Sequence, residues 1–290
     1  MKMKIITDNN DIILSDTSCF DLTHIFECGQ CFRWNKTADN EYLGIAFGKV
    51  LKISKESNGF RFKNTTVDDF NSVWKNYFDL DFDYSAVQKT LSCDAVLKEA
   101  IKSGFGIRIL RQELFETIIS FIISQNNNIP RIKLIIERFC REFGNKISLP
   151  NGIFYSFPSA KSLAGITISD LAFLKAGFRD KYILDAINKI NSGTINLSKL
   201  KTMDFDTAEQ TLLEIKGVGK KVANCILLFS LHHVNAFPVD VWVKRVMSNY
   251  YFGGKEPGCD LYEFAKKKFS PYGGFAQQYL FYHARENKLK

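Results

Sequence analysis

The chain is 290 residues long and carries a net charge of +8, which suits a polyanionic partner, although many basic proteins bind no nucleic acid. No run comes near the roughly 18 apolar residues of a membrane span, and the stretch after Met1-Lys2-Met3-Lys4 breaks at Thr7-Asp8, too soon for a leader. Seven cysteines, an odd number without framework spacing, argue for reduced thiols inside a cell.

Residues 1–64 alternate near period two. Ile12-Ile13-Leu14, the run from Tyr42 to Ser54, and Phe60-Arg61-Phe62-Lys63 read as strands, with Asn35 to Asn40 and Ser57-Asn58-Gly59 as turns. An antiparallel sheet with one wet face follows. Thr66 opens an expected helix over Val67 to Phe78. From Asp94 onward nearly every segment reads as helical, with start signals at Asp94, Gln112, Asn128-Ile129-Pro130, Ser159, Ser169-Asp170 and Asp206. The fold class is α+β. An antiparallel β domain is expected at 1–88 and an all-helical region at 89–290, with the boundary between residues 80 and 92. No internal repeat or low-complexity tract interrupts either part.

The most informative stretch runs from Asp206 to Asn249. It reads as a helix, the hairpin Gly217-Val218-Gly219-Lys220, a second helix, a loop, and a third helix capped by Asp240. The two glycines are expected to supply the positive φ of a tight turn and to leave the backbone bare. N–H groups at the start of the second helix then form an anion site, with DNA phosphate the first ligand to consider.

Along that second helix, at about 100° per residue, Val222, Cys225, Ile226 and Phe229 fall on the core face. Lys221 lies at the edge of that face and Lys220 points into water. A core-edge lysine ordinarily snorkels to solvent. Asp240 either provides a fixed carboxylate beside it or serves as a cap alone. Cys28 and Cys31 have half the spacing of a metal or redox site. No second pair follows, so no metal and no cofactor are implied.

GVGKKVANC at 217–225, followed by FPVDVW at 237–242, resembles the helix-hairpin-helix/Gly-Pro-Asp signature of base-excision DNA glycosylases, in the lysine-bearing version of the bifunctional glycosylase/lyases. Three more stretches, GQCFRW at 29–34, SFIISQNNNIPRI at 120–132 and GGFAQQYLF at 273–281, keep the family's order. The chain is most similar to 8-oxoguanine DNA glycosylases of the eukaryotic type.

The resemblance implies a base-flipping enzyme that removes 8-oxoguanine, preferentially opposite cytosine, with an associated lyase. Lys221 is then the nucleophile at C1′, forming a Schiff base that β-eliminates the 3′ phosphate, and Asp240 is its carboxylate. An attacking amine must be uncharged, a state that burial and Lys220 favour and an ionised Asp240 opposes. Asp240 therefore acts on positive charge developing at the sugar, or the amine is freed only when DNA expels water.

Gly29 is implied as the carbonyl that reads the lesion's N7–H, although by spacing alone it reads equally as a strand bulge. Cys225 and Phe281 become the pocket walls, and Gln277, by alignment rather than Gln278, meets the Watson–Crick edge. Asn126 enters the hole left by the everted base, Phe178 is the wedge, and Arg131 and Arg179 meet the orphaned base. Two guanidinium groups suit the adjacent acceptors of cytosine. Gly217, Val218, Gly219, Lys220 and Trp242 are implied to hold the DNA backbone. Trp242 stands where the family often has histidine, keeping one N–H donor but no cationic form.

The expected partner is double-stranded DNA containing 8-oxoguanine, met by a monomer with no membrane and no obligate protein partner. The expected location is intracellular, beside the nucleoid of a prokaryote or in a eukaryotic nucleus. Two other readings stay open. A monofunctional alkyl-base glycosylase of the same fold would need Asp240 but no active lysine. A non-catalytic helix-hairpin-helix DNA-binding protein would need none of Asp240, Gln277 and Phe281.

Overall fold

The computed structural model describes residues 4–15, 17–150 and 152–288; Met1-Lys2-Met3, read above for a leader, lies outside them. The architecture is α+β. Strands β1 (Lys4–Asp8), β2 (Asp11–Ser15), β3 (Trp34–Ala38), β4 (Glu41–Ala46), β5 (Lys49–Glu56) and β6 (Gly59–Lys63) form one antiparallel sheet in the order β1-β2-β6-β5-β4-β3. Alternation is literal in β2 and β6, where Ile12, Leu14, Phe60 and Phe62 are buried and their neighbours are not. The helical stretch Val67–Tyr77 covers that face, with a π-helical middle at Phe70–Trp74. Trp34 anchors the junction: its ring stacks on Phe26 at 4.1 Å and its Nε1 donates to the Tyr77 hydroxyl at 2.7 Å.

Three expectations for this region are corrected. Tyr42 to Ser54 is two strands, because Phe47 and Gly48 take positive φ of 51° and 70° and make the two-residue turn between β4 and β5. Residues 35–38, expected as a turn, extend β3, and the chain reverses at Asp39-Asn40. A short helix, Leu22–Phe26, capped by Asp21, breaks the strand region.

Helices dominate from Tyr84 onward. Those that position the site are α1 (Leu114–Ser124), α2 (Ile129–Phe143), α3 (Arg179–Asn191), α4 (Phe205–Leu213), α5 (Lys220–Phe229), α6 (Val241–Tyr251) and α7 (Gly273–Glu286). Asp94 caps the helix Ala95–Ser103, and Asn128 caps α2 by accepting the Arg131 N–H at 3.0 Å.

Other caps differ from the reading. Asp204, not Asp206, caps α4 by accepting the Thr207 N–H. Thr167 and Asp170 form the capping box ahead of Ile168–Leu171, displacing Ser169 from that role. Ser159 supports only the 3₁₀ turn Lys161–Leu163. The hairpin of β7 (Lys146–Leu149) and β8 (Gly152–Tyr155) interrupts the helices. Strands of four residues are too short for alternation to register.

Two apolar cores result. One lies under the sheet and ends at Leu80, joined by Leu110; the other runs from Tyr84 to α7 and takes in Cys19, Cys28 and Phe32. The segment bearing Gly29 thus crosses from one core to the other. Among the described residues, no helix is long and apolar enough to cross a membrane.

Candidate active site

Gly29 sits in a turn after the helix Leu22–Phe26, at φ +85°, and not in a strand bulge. The next residue holds it there. Gln30 is fully buried; its Nε2 donates to the carbonyls of Ile25 (2.9 Å) and Arg108 (2.7 Å), and its Oε1 accepts from the Leu110 N–H at 2.8 Å. Gln112 donates to the Gln30 carbonyl as well. Sequence reasoning passed over Gln30, whose partners lie about eighty positions away and leave no local signature.

The hairpin between α4 and α5 needs glycine at one position rather than two. Gly217 has φ +80°, and a Cβ there would lie 2.3 Å from the Tyr182 ring. Gly219, expected at positive φ, has φ −94° and caps α5 with nothing within 4 Å of a built Cβ. Its bareness leaves the first N–H groups of α5, which have no intrahelical partners, open to an approaching anion. The Val218 side chain is buried and its N–H donates to the Ile215 carbonyl. Lys220 is exposed, with Nζ 4.1 Å from the Tyr262 ring centroid.

From Val222 to Phe229, α5 is buried on every side, so the single apolar face read from the sequence understates its burial. Asn224, 1% exposed, is the polar exception. Its amide donates to Glu209 on α4 at 2.5 Å and to the Lys220 carbonyl at 2.9 Å, and its Oδ1 accepts the Phe237 N–H at 3.1 Å. That last bond fixes the loop Phe237-Pro238-Val239 leading to Asp240. Asp240 caps α6 through the Val243 N–H at 2.7 Å. Asn224 too went unnoticed in the sequence, where it looked like one polar interruption of an apolar helix.

Lys221 from α5 and Asp240 from the start of α6 line one cavity of about 70 Å³, together with Gly29, Cys225, Gln277 and Phe281. Phe121 contributes an aromatic wall whose centroid is 5.7 Å from Lys221 Nζ. Burial pushes the Cys225 thiol above its ordinary range, opposed by Lys221 one turn away and reinforced by Asp240. Burial likewise raises Cys28, which shares the cavity, to about 12. Neither thiol is a thiolate at neutral pH. Gln277 and Gln278 both line the cavity, so the choice between them by alignment is not exclusive.

A second group of residues clusters on an exposed rim. Asn126 is exposed, with φ +44°, a left-handed conformation that asparagine tolerates better than most residues. Phe178 is 51% exposed, and its ring lies 4.5 Å from the Arg179 guanidinium. Arg179, implied as a contact of the orphaned base, is only 5% exposed. It donates to the backbone carbonyls of Gln125, Asn126 and Ala176, and burial, then the neighbouring Arg131, lowers its pKa. Arg131 is exposed and donates to the Lys175 carbonyl at 3.2 Å. Trp242 has its Nε1 buried without a hydrogen-bond partner.

Residues 12–118 match the 8-oxoguanine DNA glycosylase N-terminal domain, and residues 119–271 match the HhH-GPD superfamily of base excision DNA repair proteins. The chain belongs to the 8-oxoguanine DNA glycosylase family. Within that family, the Clostridium acetobutylicum 8-oxoguanine glycosylase/lyase, solved with double-stranded DNA containing cytosine opposite 8-oxoguanine, is 41% identical, with a TM-score of 0.95 over 100% of both chains. The N-glycosylase/DNA lyase of Saccharomyces cerevisiae is 31% identical over 79% of this chain and 68% of its own length. The Arabidopsis thaliana N-glycosylase/DNA lyase OGG1 is 30% identical over 88% and 75%.

Proposed function

We infer that this chain is a bifunctional glycosylase/lyase that removes 8-oxoguanine opposite cytosine in base excision repair. The observation that carries the reading is the convergence of Lys221, Asp240, Gln277 and Phe281 on one cavity beside a phosphate-suited helix start. The Lys221 Nζ lone pair attacks C1′ of the everted nucleotide, and the C1′–N9 bond breaks with its electrons leaving on the base, which takes up a proton. The bound nitrogen loses a proton and the C1′–O4′ bond opens, giving a Schiff base. Loss of a C2′ proton then expels the 3′ phosphate. The Asp240 carboxylate stabilises positive charge at the sugar.

Phe281 and Cys225 flank the base, Gln277 meets its Watson–Crick edge, and the Gly29 carbonyl accepts N7–H, which guanine lacks. Asn126 fills the vacated stack, Phe178 wedges it, and Arg131 and Arg179 receive the orphaned cytosine. Of that pair, Arg131 is the free reader, because Arg179 spends most of its donors on backbone carbonyls. Gly217, Val218, Gly219 and Lys220 shape the phosphate grip, whereas the Trp242 N–H is buried and meets a phosphate only if the ring turns outward. The enzyme acts on duplex DNA as a monomer, inside the cell, with the sheet unit ending between Leu80 and Tyr84 rather than at residue 88, which lies within the helix Tyr84–Leu91.

Incubation with duplex containing 8-oxoguanine opposite cytosine, with borohydride present, tests this. The expected result is base release and a trapped covalent adduct, both abolished in Lys221→Gln. A wild-type chain that releases no base ends the enzymatic reading.

A further inference from the structure

Gln278 is the one polar side chain of the cavity wall that the proposed mechanism leaves without a task. It is 3% exposed and lines the same cavity as Gln277. Its Nε2 donates to Gln277 Oε1 at 2.8 Å, while its own Oε1 is buried and has no hydrogen-bond partner. Buried polar atoms in folded proteins are nearly always satisfied, so an exception inside a binding cavity points to a ligand donor.

The amide–amide bond couples the two orientations. Turning Gln278 over on its own would bring two carbonyl oxygens together, so with Gln277 Oε1 accepting this bond the Gln278 Oε1 is the free acceptor; reversing both amides would exchange their roles. The unmet carbonyl oxygen thus belongs to a wall residue packed against the Gln277 carboxamide; it is covered in the resting cavity, and a ligand N–H reaches it only as the walls part around the base.

A guanine-type edge carries N1–H and the 2-amino group side by side, two donors pointing the same way. An adenine-type edge has an acceptor at N1 and no 2-amino group. Adjacent carboxamide oxygens complement the first and repel the second. We propose that Gln278 Oε1 accepts an N–H from the 2-amino group of the everted 8-oxoguanine, making Gln278 a second base-reading residue beside Gln277. The proposal rests on 8-oxoguanine as the occupant of this cavity. The contact is common to guanine and its 8-oxo form, so it selects guanine-type against adenine-type lesions and leaves the oxidised position to Gly29.

The test is single-turnover release of 8-oxoguanine and of 8-oxohypoxanthine, which lacks only the 2-amino group, from the same duplex opposite cytosine. A site built to bond a donor rejects the analogue without it, so the wild type should favour 8-oxoguanine by about tenfold or more. Gln278→Leu should lose about tenfold on 8-oxoguanine and stay within about twofold on 8-oxohypoxanthine. Borohydride trapping on a preformed abasic site should be equal in both proteins, which shows that the variant is folded. Equal losses on the two bases would overturn the proposal and leave Gln278 as a prop for Gln277. If the variant does not fold, the wild type alone decides: equal rates on the two bases overturn the contact. No release of 8-oxoguanine by a wild type that still traps abasic DNA identifies a different failure, that of the substrate itself.

Discussion

The Asn224 side-chain oxygen accepts the Phe237 N–H at 3.1 Å, which ties the lysine-bearing helix to the loop that delivers Asp240. The two halves of the proposed chemistry are thus aligned by a residue that takes no part in it. Replacing Asn224 with leucine orphans the Phe237 N–H and one bond of Glu209. The expected cost is about 1–3 kcal/mol of stability in urea denaturation. Single-turnover base release should fall as well, while affinity for undamaged duplex is unchanged. A variant that is destabilised yet excises at the wild-type rate would show the loop to be held by other contacts.

Asp240 both caps α6 and faces the cavity, and one substitution separates those duties. Asparagine is as good a cap as aspartate. Asp240→Asn should therefore melt within a few degrees of the wild type. Base release should drop by about 10²-fold or more, the scale seen when a preorganised electrostatic group is removed.

The two hairpin glycines should respond differently to alanine. At Gly217 a methyl group meets both a forbidden φ and the Tyr182 ring, so Gly217→Ala should destabilise the protein by more than about 1 kcal/mol. At Gly219 the backbone accepts any residue and the added carbon points into open space. Gly219→Ala should fold normally and lose affinity for duplex DNA of any sequence, read by fluorescence anisotropy.

Stability should also depend on pH through Glu116. This carboxyl lies on α1 beneath Arg33, at 3.6 Å, and burial raises it to about 7 against the partial relief that Arg33 provides. A raised carboxyl binds its proton more tightly in the folded state. Its penalty is absent below the unfolded value and grows as pH climbs from about 4.5 to about 7, to an order of 3 kcal/mol. Denaturation at about pH 5 and about pH 8 should show that slope in the wild type and a flatter one in Glu116→Gln.

Much of this was legible in the sequence, and the reasons are physical. Period-two alternation marks β2 and β6 because one face of each is buried. Asp94, Asn128 and Asp240 announce helix starts because capping is local chemistry. A helical wheel puts Lys221 at the core edge, and its pairing with Asp240 comes from the resemblance carried by GVGKKVANC and FPVDVW. What escaped notice depends on contacts distant along the chain. Gln30 looks like any polar residue until the 108–112 segment folds over it, and Asn224 until Phe237 arrives. Asp206 reads as the start of the helix that Asp204, two positions earlier, in fact caps, because an aspartate at either position could begin it. Gln277 and Gln278 point about 100° apart, and only alignment could choose between them, because which direction faces a site is set by the elements packed around the helix.

The resting cavity, at about 70 Å³, is well under the roughly 300–1,000 Å³ of an ordinary small-molecule pocket. The Phe281 ring lies so near Gly29 that a Cβ there would sit 3.7 Å from it. A purine needs more room than this, and the half-buried Phe281 ring is one of the walls bounding the space it has to fill. Compounds designed to fill the closed space would trap a shape the lesion never meets, and an effective inhibitor has to be matched to the opened one.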